Sequence, residues 1–256
     1  MQMTTSIKSG TLDAVVTAVS LISPAVPQID VFSLPFLYKD TTEVLAIANG
    51  PFGARMTPKV NEAFDCENLG YTTDGSTEMW FHKHPVTTPA DMAGLKMGVG
   101  PSKIQRDTME AFGAIPTVVD ITAIYTALQT RLIDGTPKTR PDVLELKIYQ
   151  VAKYLTLANL FTTPNLLLVS KKFLDRLSAQ DREVVRQAGK VAADAQKDAV
   201  LASEKTALAF MQQHGVQVAA VENIAAFRDK VSGVYKGAAD RIGSDLIAEA
   251  RKLAST

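Results

Sequence analysis

Two cations stand two residues apart just after an acidic turn: Lys138 and Arg140 follow Asp134-Gly135. At a strand end such side chains hold anions, the ammonium as a point charge and the guanidinium as a planar fork that matches a carboxylate. The competing reading is a solvated turn, with both side chains in water. His82-Lys83-His84 sets two imidazoles on one side of an extended segment, but a metal site needs a third ligand and none is evident. Surface histidines and no metal are therefore expected. Cys66 is the only cysteine, which rules out an intramolecular disulfide and a CxxC motif. As a nucleophile it would need a base and an oxyanion site, whereas Asp65 and Glu67 raise its pKa. No nucleophile elbow is present, and Gly98-Val99-Gly100 lacks the rest of a phosphate or dinucleotide fingerprint. These residues point to binding without a chemical step or a cofactor. Tyr71, Trp80 and Phe81 either line an apolar cleft with their polar tips toward a ligand or pack a core loop.

Composition narrows the partners. Lysine plus arginine and aspartate plus glutamate each number 27 in 256 residues, so no basic field attracts nucleic acid or anionic lipid. The chain is long enough for one large domain or two smaller ones sharing a cleft. No apolar run approaches the ~20 residues that span a bilayer, and the start, Met1 to Lys8, lacks the pattern of a signal peptide.

The elements that must carry these residues follow an α/β rhythm. A short strand is expected within Thr11–Ser20, a strand-like run ending at Pro35, a helix from a Thr41 cap to Gly50-Pro51, and another over Pro58–Phe64. Glu67–Trp80 reads as a polar, aromatic loop. Leu95–Val99 is a strand followed by a helix whose Ser102 and Gln105 form a capping pattern. Pro116–Asp120, Thr122–Leu132 and Ile133-Asp134 continue as strand, helix and strand. Pro141–Tyr154 reads as a helix, and Leu155–Asn159 and Leu166–Val169 as strands. The longest helical pattern runs from Ser178 to His214 and, at about 1.5 Å per residue, would be long enough to touch two halves of a two-part body. Gln217–Val221 reads as a strand, and Asn223 caps a final amphipathic helix.

Asp91-Met-Ala-Gly-Leu-Lys-Met97, Pro101-Ser102, Ile124-Tyr-Thr-Ala-Leu-Gln129 and Ile133-Asp134-Gly135 together resemble the solute-binding subunits of TRAP transporters, the periplasmic dicarboxylate-receptor family. Ser9–Asp13, Val31–Tyr38, Leu69-Gly-Tyr71 and Phe173–Gln180 resemble further signatures of that family in the same order. The resemblance implies an α/β fold like that of periplasmic binding proteins, with two lobes of mixed sheet flanked by helices and joined by crossing strands and a long shared helix. The expected division is residues 1–87 plus 170–222 against 88–169 plus 223–256, with the helix at about 178–213 spanning both. It also implies capture of a small organic acid outside the cytoplasmic membrane for the permease subunits of a TRAP system, with a homodimer left open. A shortened relative acting as an interaction protein, or an enzyme using the same cleft, are the alternatives.

Two departures from the family pattern matter. The family's opening strand, helix and second strand would precede Met1, so the chain is expected to be shortened at its N-terminus. The arginine that grips the ligand carboxylate in that family falls at Gly98, and a second basic position falls at Thr77. The family asparagine after the Asp-Gly turn falls at Lys138. Gly98 and Gly100 are then expected to open the wall. Either Lys138 or Arg140 restores the charge, or the ligand is neutral or absent. The ligand-contact set expected from the resemblance is Phe36, Tyr71, Thr77, Trp80, Gly98, Lys138, Arg140 and Asn159.

Overall fold

A computed structural model describes residues 2–254; Met1 and the last two residues of the expected division lie outside them. Among the described residues, nine strands form two sheets. The smaller holds β1 (Ala14–Ala18), β2 (Cys66–Thr73) and β8 (Pro164–Ser170) in the order β1-β8-β2, antiparallel throughout. The larger holds β3 (Thr77–Phe81), β4 (Lys96–Val99), β5 (Ile115–Val118), β6 (Gly135–Thr139), β7 (Tyr154–Phe161) and β9 (Gln217–Ala220) in the order β5-β4-β6-β3-β7-β9. Here β4 runs parallel to β5 and β6, β7 runs parallel to β9, and β3 is antiparallel to both its neighbours. The chain passes between the sheets at 73–77 and at 161–164, and β9 joins the larger sheet.

Helices cover both sheets: α1 (Gln2–Ser9), α2 (Thr41–Ala48), α3 (Thr57–Phe64), α4 (Lys103–Ala111), α5 (Ile124–Gln129), α6 (Arg140–Glu145), α7 (Ala179–Gln213), α8 (Ile224–Lys230), α9 (Ser232–Ile242) and α10 (Ser244–Leu253). One core joins the smaller sheet to one face of the larger; Leu166, Leu168, Met79 and Phe81 belong to it. A second core, with Trp80, Ile124, Ile133, Leu155, Ala207 and Met211, fills the other face of the larger sheet beneath α5, α6 and α7.

The segment expected as a loop, Glu67–Trp80, forms β2 and β3. The polar sequence of β2 conceals it, because the edge of this strand is satisfied by side chains instead of a neighbouring strand. Asn49 donates to the Tyr71 carbonyl (3.0 Å) and accepts from the Tyr71 amide (2.9 Å). Gln196 of α7 accepts from the Thr73 amide and donates to the Thr73 carbonyl, and Asn61 accepts from the Asn68 amide.

Other elements also differ from expectation. The run before Pro35 is a 3₁₀ helix, Pro27–Ser33. Asp40, one residue before Thr41, caps α2 by accepting from the Glu43 amide (2.8 Å), and Glu43 accepts in return from the Lys39 amide. The helix expected over Pro141–Tyr154 stops after Glu145, with a 3₁₀ turn at Ile148–Gln150. The single final helix is three, broken at Val231 and at Gly243, whose φ is +106°. The caps at Ser102 and Asn223 form as the sequence predicts.

The long helix α7 has 35 residues and starts where Ser178 accepts from the Asp181 amide (3.1 Å). At about 1.5 Å per residue it is ~50 Å long and serves both sheets. Its first half packs on β2 through Gly189 and Ala193, and its second half enters the core of the larger sheet through Ala207 and Met211. The approach at Gly189 is close enough that a Cβ there would lie 2.7 Å from Leu69. Gly189→Val should therefore lower stability by about 1–3 kcal/mol through overpacking. Urea unfolding would show a lower midpoint at an unchanged slope.

Candidate functional site

The register of the larger sheet brings several expected residues to one edge. Parallel β4 and β6 finish there, β3 begins there, and Thr77 lies opposite both Thr139 and Phe161. Glu78, opposite Lys138, is buried with 3% exposure. Its Oε1 accepts from Arg140 Nη2 (3.2 Å), and its Oε2 accepts from the amides of Ala158 and Asn159 (both 2.8 Å). Arg140 also donates to the Glu204 carbonyl of α7 (3.4 Å), and its Nε is buried without a hydrogen-bond partner. The Arg140 charge is thus neutralised inside the protein.

Lys138 differs. Its carbonyl accepts from the Trp80 indole N–H (3.0 Å), while its ammonium pairs with no carboxylate within 4.0 Å among the described residues. Asp142, at the start of α6, feels it through space. Burial pushes the Asp142 carboxyl up, Lys138 pulls it down, and Asp74 pushes it up again. Asp74 lies in the crossing from β2 to β3 and accepts from the Asn165 amide (2.7 Å). Polar groups from both sheets therefore converge, Lys138 and Asp142 from the larger and Asn165 from the end of the smaller, with Asp74 between them. Asn165 lies in register between Ala18 and Thr72, and the Thr72 hydroxyl is buried without a hydrogen-bond partner.

Asp74, Asp142 and Asn165 are absent from the expected contact set. Asn165 falls just before the strand expected at Leu166–Val169, and β8 in fact starts at Pro164. The Pro-Asn pair at a strand start is the one local signal. Asp74 falls within the stretch expected as a polar, aromatic loop, and Asp142 donates its amide to the Thr139 hydroxyl that caps α6.

Most of the remaining expected residues are buried or bonded within the framework. Trp80 is fully buried in the second core. Tyr71 is buried 5.7 Å from Phe32 between ring centroids, and its hydroxyl, pushed up to about 12 by burial, donates to Gly53 (3.4 Å). Phe36, at φ +56°, donates its amide to the Leu160 carbonyl (2.9 Å) and packs on Phe112. Asn159, at φ +46°, donates to the Lys39 carbonyl and accepts from Thr162 (2.8 Å). Gly98 opens no wall: a Cβ there would meet Ile133 at 2.5 Å and Ile124 at 3.4 Å, so isoleucine side chains already fill the position. Gly100 does border open space, with only Gln105 at 3.9 Å.

The crossings between the sheets are braced together. Glu204 of α7 accepts from the Ser76 amide (2.9 Å), Ser76 and Thr162 hydroxyls lie 3.5 Å apart, and Thr162 continues to Asn159. The other chemistry-bearing groups lie elsewhere. His82 is 3.4 Å from Asp134, His84 Nδ1 is 3.0 Å from the Pro85 carbonyl, and His214 Nδ1 is 2.8 Å from the Phe210 carbonyl. Burial, then Asp65 and Glu67, push the Cys66 thiol up to about 12.

Two sheets joined by braced crossings and one long helix, with polar groups from both meeting at strand ends, define an α/β solute receptor. The family model for bacterial extracellular solute-binding protein, family 7 (DctP) matches residues 1–241, and the chain belongs to this family. A solute-binding protein of Chromohalobacter salexigens is 29% identical over 232 residues, covering 89% of this chain and 68% of the relative. The C4-dicarboxylate-binding periplasmic protein DctP of Rhodobacter capsulatus is 29% identical over 242 residues, 90% and 72% of the two chains. Among solved structures, a TRAP periplasmic solute-binding protein from Chromohalobacter salexigens with bound D-glucuronate superposes with a TM-score of 0.93 at 26% identity, covering 97% of this chain and 83% of that one. One from a Polaromonas species bound to D-erythronate gives 0.92 at 30% identity, with 98% and 82% covered. The protein is an extracytoplasmic solute receptor of the TRAP type. No helix among the described residues is long and apolar enough to cross a membrane.

Arg140 and Lys138 should separate cleanly by experiment. Arg140→Met leaves a buried carboxylate without its cation and should cost about 3 kcal/mol of stability. Lys138→Met should leave the melting temperature of the unliganded protein close to its starting value.

Proposed function

We propose that this receptor captures a small sugar acid between its two sheets, with Lys138 receiving the carboxylate and Asp74, Asp142 and Asn165 taking the hydroxyls. The observation that carries this reading is the contrast between the neighbouring cations: Glu78 neutralises Arg140, whereas Lys138 has no carboxylate partner. A carboxylate ligand needs one uncommitted cation. Carboxylate and amide side chains around it suit a ligand that also donates hydroxyl hydrogen bonds. The relatives bound to D-glucuronate and D-erythronate hold acids of that composition. Tyr71, Trp80, Phe36 and Gly98 act on this reading as packing residues behind the site, and Asn159 as a hinge residue.

Binding energy biases the two sheets toward a closed arrangement, with the crossings at 74–76 and 162–163 as the moving joints. The ligand is then handed to the membrane subunits of a TRAP system from outside the cytoplasmic membrane. No step of bond making or breaking is assigned to the site, and the one thiol is held protonated by burial.

Calorimetric titration with D-glucuronate, D-galacturonate, D-erythronate, succinate and D-glucose tests the proposal. A sugar acid should bind, and Lys138→Met should weaken it by about 2 kcal/mol, roughly 30-fold. Binding of D-glucose alone, or no effect of Lys138→Met, would overturn the assignment.

The Asp142 carboxyl supplies a pH test. Because its pKa is raised, protonation begins above the ordinary carboxylate range and removes a negative charge beside Lys138. Affinity for the anion should therefore strengthen as pH falls through that raised range, until the ligand itself takes up a proton. Asp142→Asn should flatten this dependence and hold the affinity near its acid-side level.

A further inference from the structure

Away from the strand-end site, the segment Pro35–Leu37 faces the C-terminal helices across an open cavity of about 670 Å³. Arg228 of α8 and Arg251 of α10 line it, together with Asp229, Val231 and Tyr235. Neither arginine has a carboxylate within 4.0 Å among the described residues, a state shared by Arg106, Arg131 and Arg182, but only Arg228 and Arg251 of these line one cavity together. The Arg251 guanidinium lies 4.5 Å over the Tyr235 ring, and the Tyr235 hydroxyl donates to the Pro35 carbonyl (2.7 Å). That phenol is fixed at its tip and also hydrogen-bonds Arg251, so the guanidinium is held at the cavity wall beside the ring. Burial pushes Tyr235 up to about 12 against the pull of both Arg251 and Arg228, so the two cations act on one point. Two converging guanidiniums without a neutralising carboxylate, beside a cavity in the size range of small-ligand sites, match an oxyanion in charge and geometry. Asp229, which also lines the cavity, favours a ligand that presents its anionic group to the arginines and a neutral or donor group to that carboxylate.

We propose that this cavity is a second binding site, for the phosphate or carboxylate group of a small soluble anion. Its occupant would connect the Pro35–Leu37 segment to α8 and α10. The Phe36 amide is already bonded to Leu160 of β7, a strand that enters the crossing between the sheets. Nothing in this site is shared with Lys138, Asp74, Asp142 or Asn165.

The test uses inorganic pyrophosphate and citrate as probes at low ionic strength, read by titration of arginine side-chain N–H resonances, with phosphatidylglycerol vesicles as a third arm. Saturable binding of either soluble anion is expected, weakened at least tenfold in Arg228→Gln/Arg251→Gln and unchanged in Lys138→Met. Both arginines are exposed, so the double variant should melt at the starting temperature, and Arg228→Lys/Arg251→Lys should recover part of the affinity. No saturable binding, binding that survives the double glutamine variant, loss in Lys138→Met, or binding to vesicles alone would each overturn the proposal.

Discussion

The buried carboxylate of Glu78 constrains the rest of the site. An ionised group at 3% exposure would be costly by several kcal/mol if left bare. It is compensated by one guanidinium and two backbone amides, which come from the start of α6 and from β7. That single group therefore sets how β7 approaches β3 at the point where the chain leaves the larger sheet. It also decides which of two nearby cations is internal and which is available. Arg140 becomes part of the framework, and Lys138, opposite Glu78 in the register, is left with only through-space attraction to Asp142.

The same arrangement explains how two sheets work as one receptor. Their crossings carry short polar residues, Ser76 and Thr162, which form small bridges and not an apolar seam. Bridges of this kind are weak individually and easily exchanged, which suits a joint. Helix α7 supplies the rigid member, anchored to one sheet at Gly189 and to the other at Met211, with Glu204 touching the crossing between those two anchors.

Much of this was legible in the sequence wherever the determinant was local. The Ser178 cap and the stop at Gly215 define α7, Ser102 starts α4 as expected, and the stretch after Ala90 gives parallel β4 and β5, whereas the strand expected at Ile133-Asp134 begins only at Gly135. What escaped was set by residues far apart in the chain. β2 reads as a loop because the groups that make it a strand are Asn49 and Gln196, and neither lies within it. Gly98 suggests an opening until Ile133 is seen to occupy the space. Lys138 and Arg140 are both cations near one strand end, and which of them is committed inside the protein depends on Glu78, some sixty residues earlier. Asn165 and Asp74 come together only because two strands enter the same crossing.

The edge of β2 has a consequence for the ageing of the molecule. Asn49 holds Tyr71 by donating with one side of its amide and accepting with the other, and it is followed directly by Gly50. In a flexible chain, asparagine before glycine is the arrangement most prone to hydrolyse, because the glycine nitrogen can attack the side chain; here Gly50 donates that N–H to the Ile47 carbonyl (3.3 Å), which restrains the attack. The product is a carboxylate, which can only accept. The Tyr71 carbonyl would then face a negative oxygen in place of an N–H, and the strand edge would lose one of the clasps that close it. The clasp that closes the edge of β2 therefore also shields Asn49, and the seam between α2 and β2, on the sheet that carries Asn165, keeps its amide only while that clasp is made.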